Sequence, residues 1–308
     1  MFRRTARECL RGILTGISRQ PRYAAGMKRP PSILISPSFE LRGVEFSDLS
    51  VSLSLRYEQA VLAAGGLPLI GPATIDRRLL AESVRRVDGV LLTGGDDINP
   101  YLYETKLPRA IRKTVGTTPD GGKRDTAELM LIAEIFRQQK PVLAICRGHQ
   151  LMHVAFGGKL IVDIPQQAPS AVNHRQVSKA FHVVHDAELK PGSLIAKITG
   201  KRRLGVNSTH HQAIREPVDP FIATARSSDG LVEAMELKPE FADALPFFLG
   251  VQFHPERLLE KGNHYLALFR GFVKACASAH GSSNQKQNGF AQNKGLLLRA
   301  AHLMSSSK

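Results

Sequence analysis

Three side chains in this sequence have the types and surroundings that thiol chemistry requires. Cys146 ends the short apolar run Val142 to Ile145 and is followed by Arg147 and Gly148. A hundred residues on, a second apolar run ends in His254 and Glu256, two positions apart with Pro255 between them. A thiol, an imidazole to move its proton and a carboxylate to orient the imidazole are the parts of nucleophilic acyl transfer. The pattern Ala144-x-Cys146-x-Gly148 resembles a nucleophile elbow, the tight strand-to-helix turn that exposes a reactive side chain. Cys146 would then stand near a helix N-terminus, where unpaired N–H groups and the macrodipole favour thiolate. The Arg147 N–H would face an oxyanion on the substrate carbonyl.

Positioning such a trio requires strands that end at one edge. Val142 to Ile145 is too short for a helix and reads as a strand buried on both faces; Gln150 to Phe156 has the spacing of a packed helix. Leu249 to Phe253 reads as another strand. If it continues, His254 and Glu256 share a face because strand residues two apart do. Upstream, strands are expected at Ile33 to Ser36, Leu67 to Ile70 and Gly89 to Leu92. Helices are expected at Leu53 to Ala64 (stopped by Gly65-Gly66), Arg77 to Arg86 and Thr126 to Gln139. This alternation predicts an α/β fold, a doubly wound, mostly parallel sheet covered on both faces. Beyond Gly158 the strands become shorter and mixed, which predicts a smaller antiparallel extension. Sites in such folds lie at the carboxyl edge of the sheet. Thr93-Gly94-Gly95-Asp96 follows one of those strands, and its glycines allow a backbone N–H to turn inward with no side chain in the way.

Six segments carry a family resemblance. They are Leu91 to Tyr101, Arg124 to Glu128, Ile145 to Gln150, Val206 to Gln212, Asp229 to Ala234 and Val251 to Glu256. Their order and content, above all Cys-Arg-Gly-His-Gln, Asn-Ser-Thr-His-His-Gln and His-Pro-Glu, resemble the class I glutamine amidotransferases. Within these they are most similar to the gamma-glutamyl-gamma-aminobutyrate hydrolase branch, peptidase family C26. The likeness spans roughly residues 32 to 275, with Ala144 where the family usually has glycine and Phe253 where it usually has tryptophan. The resemblance implies a flavodoxin-like sheet and a Cys146, His254, Glu256 triad. It implies an oxyanion hole from the Gly95 and Arg147 amides, with Gly94 or Asp96 as the alternatives one residue away. It assigns Gln150, His210, His211 and Gln212 to the pocket for the γ-glutamyl group, and Arg124, Asp125 and Glu128 to site architecture or contact with the substrate's tail. The implied reaction is hydrolysis of a γ-glutamyl amide through a γ-glutamyl thioester. If the leaving amine is γ-aminobutyrate, the reaction is the last step of putrescine breakdown, in polyamine catabolism. A glutaminase that passes ammonia to a separate synthase, γ-glutamyl transfer, and a non-catalytic binding protein on the same fold stay open as alternatives. The long loop from Asn99 to Gly122 is expected to cover the site and help choose the leaving group.

Composition agrees with one catalytic domain, expected over residues 30–279. The net charge of +15 invites a nucleic-acid reading, but the charge sits at the ends. Residues 1–29 hold eight basic residues and one acid, and residues 280–308 hold four basic residues and none, which leaves only +4 for the domain. A nucleic-acid-binding domain would concentrate charge on its own face, so no nucleic acid is expected as partner. No apolar run reaches the length of a membrane span. Three scattered cysteines give no disulfide or zinc pattern and suit a reducing compartment, expected to be the cytoplasm. The first 26 residues are rich in Arg and resemble a transit segment for organelle import; a translation start at Met27 accounts for them equally well. The tail at 280–308 reads as disordered, with a short helical pattern at Leu296 to Leu303. The pairs His149/His153 and His182/His185, and His210-His211, have no Cys or carboxylate at a recognised ligand spacing, so neither a metal nor another cofactor is expected. The partner is a small γ-glutamyl amide; a homo-oligomer is compatible with this reading.

Overall fold

The computed structural model describes residues 29–170 and 172–282, with the side chains of the last three left aside. The expected tail helix at 296–303 and the first 26 residues lie outside the described residues. Nine strands form one mixed sheet in the order β4-β1-β5-β6-β11-β10-β9-β7-β8. Its parallel half comprises β1 (Ser32–Ile35), β4 (Leu67–Ile70), β5 (Gly89–Leu92), β6 (Val142–Ile145) and β11 (Phe248–Val251). Taken in chain order these run 2-1-3-4-5, the flavodoxin-like arrangement. The other half is antiparallel: β10 (Val232–Leu237), β9 (Phe221–Ser227), β7 (His185–Leu189) and β8 (Arg203–Val206). A small hairpin of β2 (Ser38–Glu40) and β3 (Ser50–Ser52) stands apart from the sheet.

Except for the exposed edge strand β4, the strands of the parallel half are buried because each face has its own helical layer. Alternate residues belong to two different cores, as a period of two requires. Leu34, Val90, Leu92, Val142 and Ala144 pack with α2 (Arg77–Arg86), α3 (Lys123–Arg137) and α4 (Arg147–Ala155). Ile33, Ile35, Leu91, Leu143 and Ile145 pack with α1 (Leu55–Ala63) and α6 (Asn263–Ser282), the helix that follows the short α5 (Leu194–Thr199). Asp76 caps α2 by accepting from the N–H groups of Arg78 and Leu79.

Three elements depart locally from the expected boundaries. Helix α3 begins at Lys123, three residues before Thr126, because Asp120 accepts from the N–H groups of Gly122 and Arg124, both at 2.8 Å, and so caps it. Helix α6 runs on to Ser282, past the expected domain edge at 279. Strand β11 stops at Val251 rather than Phe253, and Pro255–Arg257 form a one-turn 3-10 helix. His254 and Glu256 are therefore not strand neighbours, since Pro255 at the first helical position turns the chain. The segment 99–122 is no free lid: it contains a 3-10 turn and a short helix, and Leu102, Leu107, Ile111 and Val115 pack on the core. Among the described residues no helix is long and apolar enough to cross a membrane.

Candidate active site

Cys146 is the sharpest backbone feature of the sheet edge. It takes φ 51° and ψ −105° between β6 and α4, a conformation that costs a non-glycine residue roughly 1–3 kcal/mol. The strain is held from both sides: its N–H donates to Val251 O at 2.7 Å, and its carbonyl accepts from Gln150 N at 3.1 Å. Gly148 lets α4 start hard against β5, since a Cβ there would meet Leu92 O at 2.6 Å. Its N–H donates to Thr93 O at 3.1 Å, tying the elbow to the Gly94-Gly95 turn. The Arg147 N–H, in the first turn of α4, has no partner among the described residues, as helix starts leave it.

His254 is buried and its Nδ1 lies 2.7 Å from Glu256 Oε1, with the turn at Pro255 closing the pair. The imidazole also feels the charge of the neighbouring Cys146 sulfur. Burial alone would lower the basicity of His254. The Glu256 carboxylate and then the Cys146 sulfur outweigh it, so the imidazolium is held up to about 9. Asn207 fixes the backbone at this point: its Oδ1 accepts from His254 N at 2.8 Å, and its Nδ2 donates to His254 O at 3.1 Å and to Ala180 O at 2.7 Å. Gln252 brings its Nε2 to 3.6 Å from Cys146 Sγ.

The Gly94-Gly95 turn is shaped by close approach. A Cβ on Gly94 would lie 2.7 Å from His254 Cε1 and 3.4 Å from Cys146 Cβ. The Gly94 N–H donates to the Tyr57 hydroxyl at 3.0 Å, which leaves it unavailable to a substrate. The Gly95 N–H has no partner among the described residues. Gly95 sits at φ 153°, and a Cβ there would run into Arg124 Nη1 at 2.0 Å. Arg124 in turn donates to Gly94 O at 2.7 Å, Thr93 Oγ1 at 3.2 Å and Ser38 Oγ at 3.0 Å. Beneath the turn, the Arg147 guanidinium pairs with Asp125 and Glu128, and Arg124 Nε reaches Glu128 at 3.4 Å. Burial pushes the Glu128 carboxyl up, but Arg147 and Arg124 more than compensate and hold it ionised. Two cations and two anions thus balance in a dry layer under the elbow.

The residues expected to line the acyl pocket are mostly engaged in holding the site together. Gln150 Nε2 donates to Gln212 O and to Gln252 Oε1, both at 3.0 Å. His210 places Nδ1 2.9 Å from Gln212 O and turns its other nitrogen toward Glu233. His211 bridges two carboxylates, Nδ1 to Asp163 at 3.1 Å and Nε2 to Asp97 at 2.9 Å, and Asp97 above all raises its basicity. Tyr57, Asn207 and Gln252 are the site neighbours that the sequence reading left without a role. Asn207 and Gln252 stand inside the motifs that carry the resemblance, whereas nothing around Tyr57 in helix α1 distinguishes it from a core residue. His149 and His153 are buried in α4, where burial lowers their basicity to about 3 and about 4.

A nucleophile elbow at the carboxyl edge of a flavodoxin-like sheet, with a histidine–glutamate pair on the adjacent strand end, defines a glutamine amidotransferase-like hydrolase fold. The peptidase C26 family pattern matches residues 35–256, and the chain belongs to that family. It is 35% identical over 220 residues to protein NtpR of Enterococcus hirae, covering 71% of this chain and 87% of that protein. It is 32% identical over 234 residues to the gamma-glutamyl-gamma-aminobutyrate hydrolase PuuD of Escherichia coli (strain K12), covering 73% of this chain and 86% of that protein. Among solved structures, a GMP synthase-type protein from Thermoplasma acidophilum superposes with a TM-score of 0.53 at 20% identity. That match covers 83% of this chain and 99% of the other, a likeness of fold.

Proposed function

We propose that the protein hydrolyses a γ-glutamyl amide through a γ-glutamyl thioester on Cys146, with γ-glutamyl-γ-aminobutyrate as substrate and glutamate and γ-aminobutyrate as products. The observation that carries this reading is the strained Cys146 elbow facing a His254–Glu256 pair that is itself closed at 2.7 Å. The likeness to the Escherichia coli hydrolase supports the choice of leaving amine. Cys146 Sγ attacks the γ-carbonyl carbon, and the carbonyl oxygen takes the negative charge. The Gly95 and Arg147 N–H groups receive that charge; both are without partners among the described residues, and such donors contribute most when fixed in advance. His254, oriented by Glu256, gives its proton to the departing amine as the C–N bond breaks. Water then loses a proton to His254 and attacks the thioester carbonyl, which releases glutamate and restores the thiol. The Gln150, His210, His211 and Gln212 region would hold the α-amino and α-carboxylate groups of the glutamyl moiety, chiefly through backbone groups since most of the side chains are engaged. The need for a reduced thiol supports a reducing compartment such as the cytoplasm.

The test is glutamate release by purified protein from γ-glutamyl-γ-aminobutyrate and, in parallel, from glutamine, with Cys146→Ala as control. Turnover of the first substrate well above the second, abolished in the variant, is the expected result. Turnover of glutamine alone would instead support a glutaminase that serves a separate synthase. Failure on both would sink the assignment of substrate.

A further inference from the structure

Glu233, in β10, is wholly buried, and neither of its carboxylate oxygens has a hydrogen-bond partner among the described residues. Three imidazoles surround it. His185 Nε2 lies 3.5 Å, His174 Nδ1 3.8 Å and His210 Nε2 3.9 Å from Glu233 Oε1. These separations are too long for hydrogen bonds. The outer nitrogen of each ring explains why no proton bridges the gap. His174 Nε2 faces Asp229 Oδ2 at 3.0 Å, His185 Nδ1 faces Asp186 O at 3.2 Å, and His210 Nδ1 faces Gln212 O at 2.9 Å. Each outer partner is an acceptor, so the ring hydrogen belongs on the outside and the inner nitrogen presents a lone pair. The Ser208 hydroxyl, 3.3 Å from His174 Nδ1, donates to the His174 carbonyl at 2.8 Å. Three lone pairs and a carboxylate therefore converge on one space with no donor among them.

Histidines that bind metals characteristically give their second N–H to a carboxylate or a backbone carbonyl, which fixes the tautomer. All three rings here do so. Donor atoms of a tetrahedral zinc site with bonds of 2.0–2.1 Å lie about 3.3–3.4 Å apart, so the three contacts with Glu233 need to contract by only a few tenths of an ångström, and the imidazoles have to close in on one another. The donor atoms of His174, His185 and Glu233 already lie within 4.8 Å of one another, and His210 Nε2, outside that group but 3.9 Å from Glu233 Oε1, has to move inward to complete the set. We propose that His174, His185, His210 and Glu233 form a closed site for one divalent transition-metal ion of the zinc type, distinct from the Cys146 centre.

A proton on Glu233 could serve only one of the three imidazoles, whereas a divalent ion serves all four groups. Full burial of the carboxylate suits a bare ion rather than a substrate ammonium group. Imidazole with a single carboxylate is a ligand set that zinc and its neighbours accept and that calcium and magnesium do not favour. Four protein ligands leave no open position, so the ion would be structural. It would pin β7 and β10 to the segment 207–212, whose first residue clamps the backbone of His254. The sequence hid this site because its carboxylate comes from a remote strand and its third histidine, His174, stands alone in a loop. Of the pairs noted in the sequence, His182 takes no part.

The experiment uses the full chain with Cys146→Ser, so that the thiol cannot capture the metal. After demetallation, zinc is added and unbound ion dialysed away. About one zinc per chain and a raised Tm are expected, and cobalt in its place should give visible d–d bands without a thiolate charge-transfer band. Glu233→Gln should weaken zinc binding by at least about 100-fold, and Asp229→Asn, which removes only the outer partner of His174, by about 10–100-fold. The Asp229→Asn variant keeps the test decisive if Glu233→Gln does not fold. Substoichiometric zinc in the folded protein, or zinc retained undiminished in both variants, would overturn the site.

Discussion

His254 stands between two influences of opposite sign. Burial disfavours its charge, while Glu256 and Cys146 favour it more strongly, so the imidazolium persists up to about 9. In the proposed mechanism the proton needed by the leaving amine is thus present at neutral pH and is lost only as pH rises through that value. The alkaline limb of kcat/KM should lie near about 9. Replacing Glu256 by Gln keeps the size of the side chain but removes the larger favourable influence. The limb should then move to lower pH, and kcat should fall by about 10²–10⁴-fold, the range of general acid–base assistance. A pH–rate profile of Glu256→Gln reads both effects. An unchanged limb would mean that His254 is not the group that titrates.

At the level of elements, the elbow depends on how closely α4 can start against β5. Gly148 sets that distance. A methyl group there meets the backbone of Leu92, which cannot rotate aside, so Gly148→Ala must shift the helix start. Overpacking of this kind costs about 1–3 kcal/mol, and the same shift displaces Cys146 and the Arg147 N–H together. Chemical denaturation and kcat of Gly148→Ala should therefore fall in parallel, with KM affected less. The positions of these elements were legible in the sequence. Val142 to Ile145, Leu67 to Ile70 and Gly89 to Leu92 are short apolar runs, and each is a strand of the parallel half at those boundaries. The buried strands Gly89 to Leu92 and Val142 to Ile145 announce themselves because both faces must be apolar, whereas Leu67 to Ile70 is an exposed edge strand. The antiparallel half announces itself less: β7 alternates exposed and buried residues, and β8 and β9 are broken by polar positions. Its presence could be anticipated but its strands could not be counted. The site was legible to the same degree. Cys146, His254 and Glu256 stand at the ends of apolar runs, and the structure brings them together. The strand geometry expected for His254 and Glu256 gave way to the turn at Pro255, with the same pairing reached by another route. Long-range partners such as Tyr57 to Gly94, or His174 to Glu233, leave no local pattern to read.

Across the whole molecule, the site lies where the parallel half meets the antiparallel one. The parallel half supplies the thiol, the glycine turn and the histidine–glutamate pair; the segment beside β8 supplies Asn207. His211 crosses this division. It joins Asp97, after β5, to Asp163, beyond α4, and thereby secures the start of the long segment 99–122. Its basicity in the folded protein is raised, by Asp97 first and Asp163 in support, against burial. A group whose folded pKa is raised contributes stability that is complete below its unfolded value, near 6.5, and declines as pH rises through the folded value. The tether should therefore be strongest in mildly acidic solution and weaken above neutrality. Limited proteolysis at Lys106 and Arg109, which lie in this segment, measures it directly. Cleavage relative to a fixed control substrate should rise with pH in the wild type. In His211→Asn it should start high and lose most of that pH dependence. If the two proteins are cut alike at every pH, the bridge does not restrain the segment, and its packing on the core through Leu102, Ile111 and Val115 suffices.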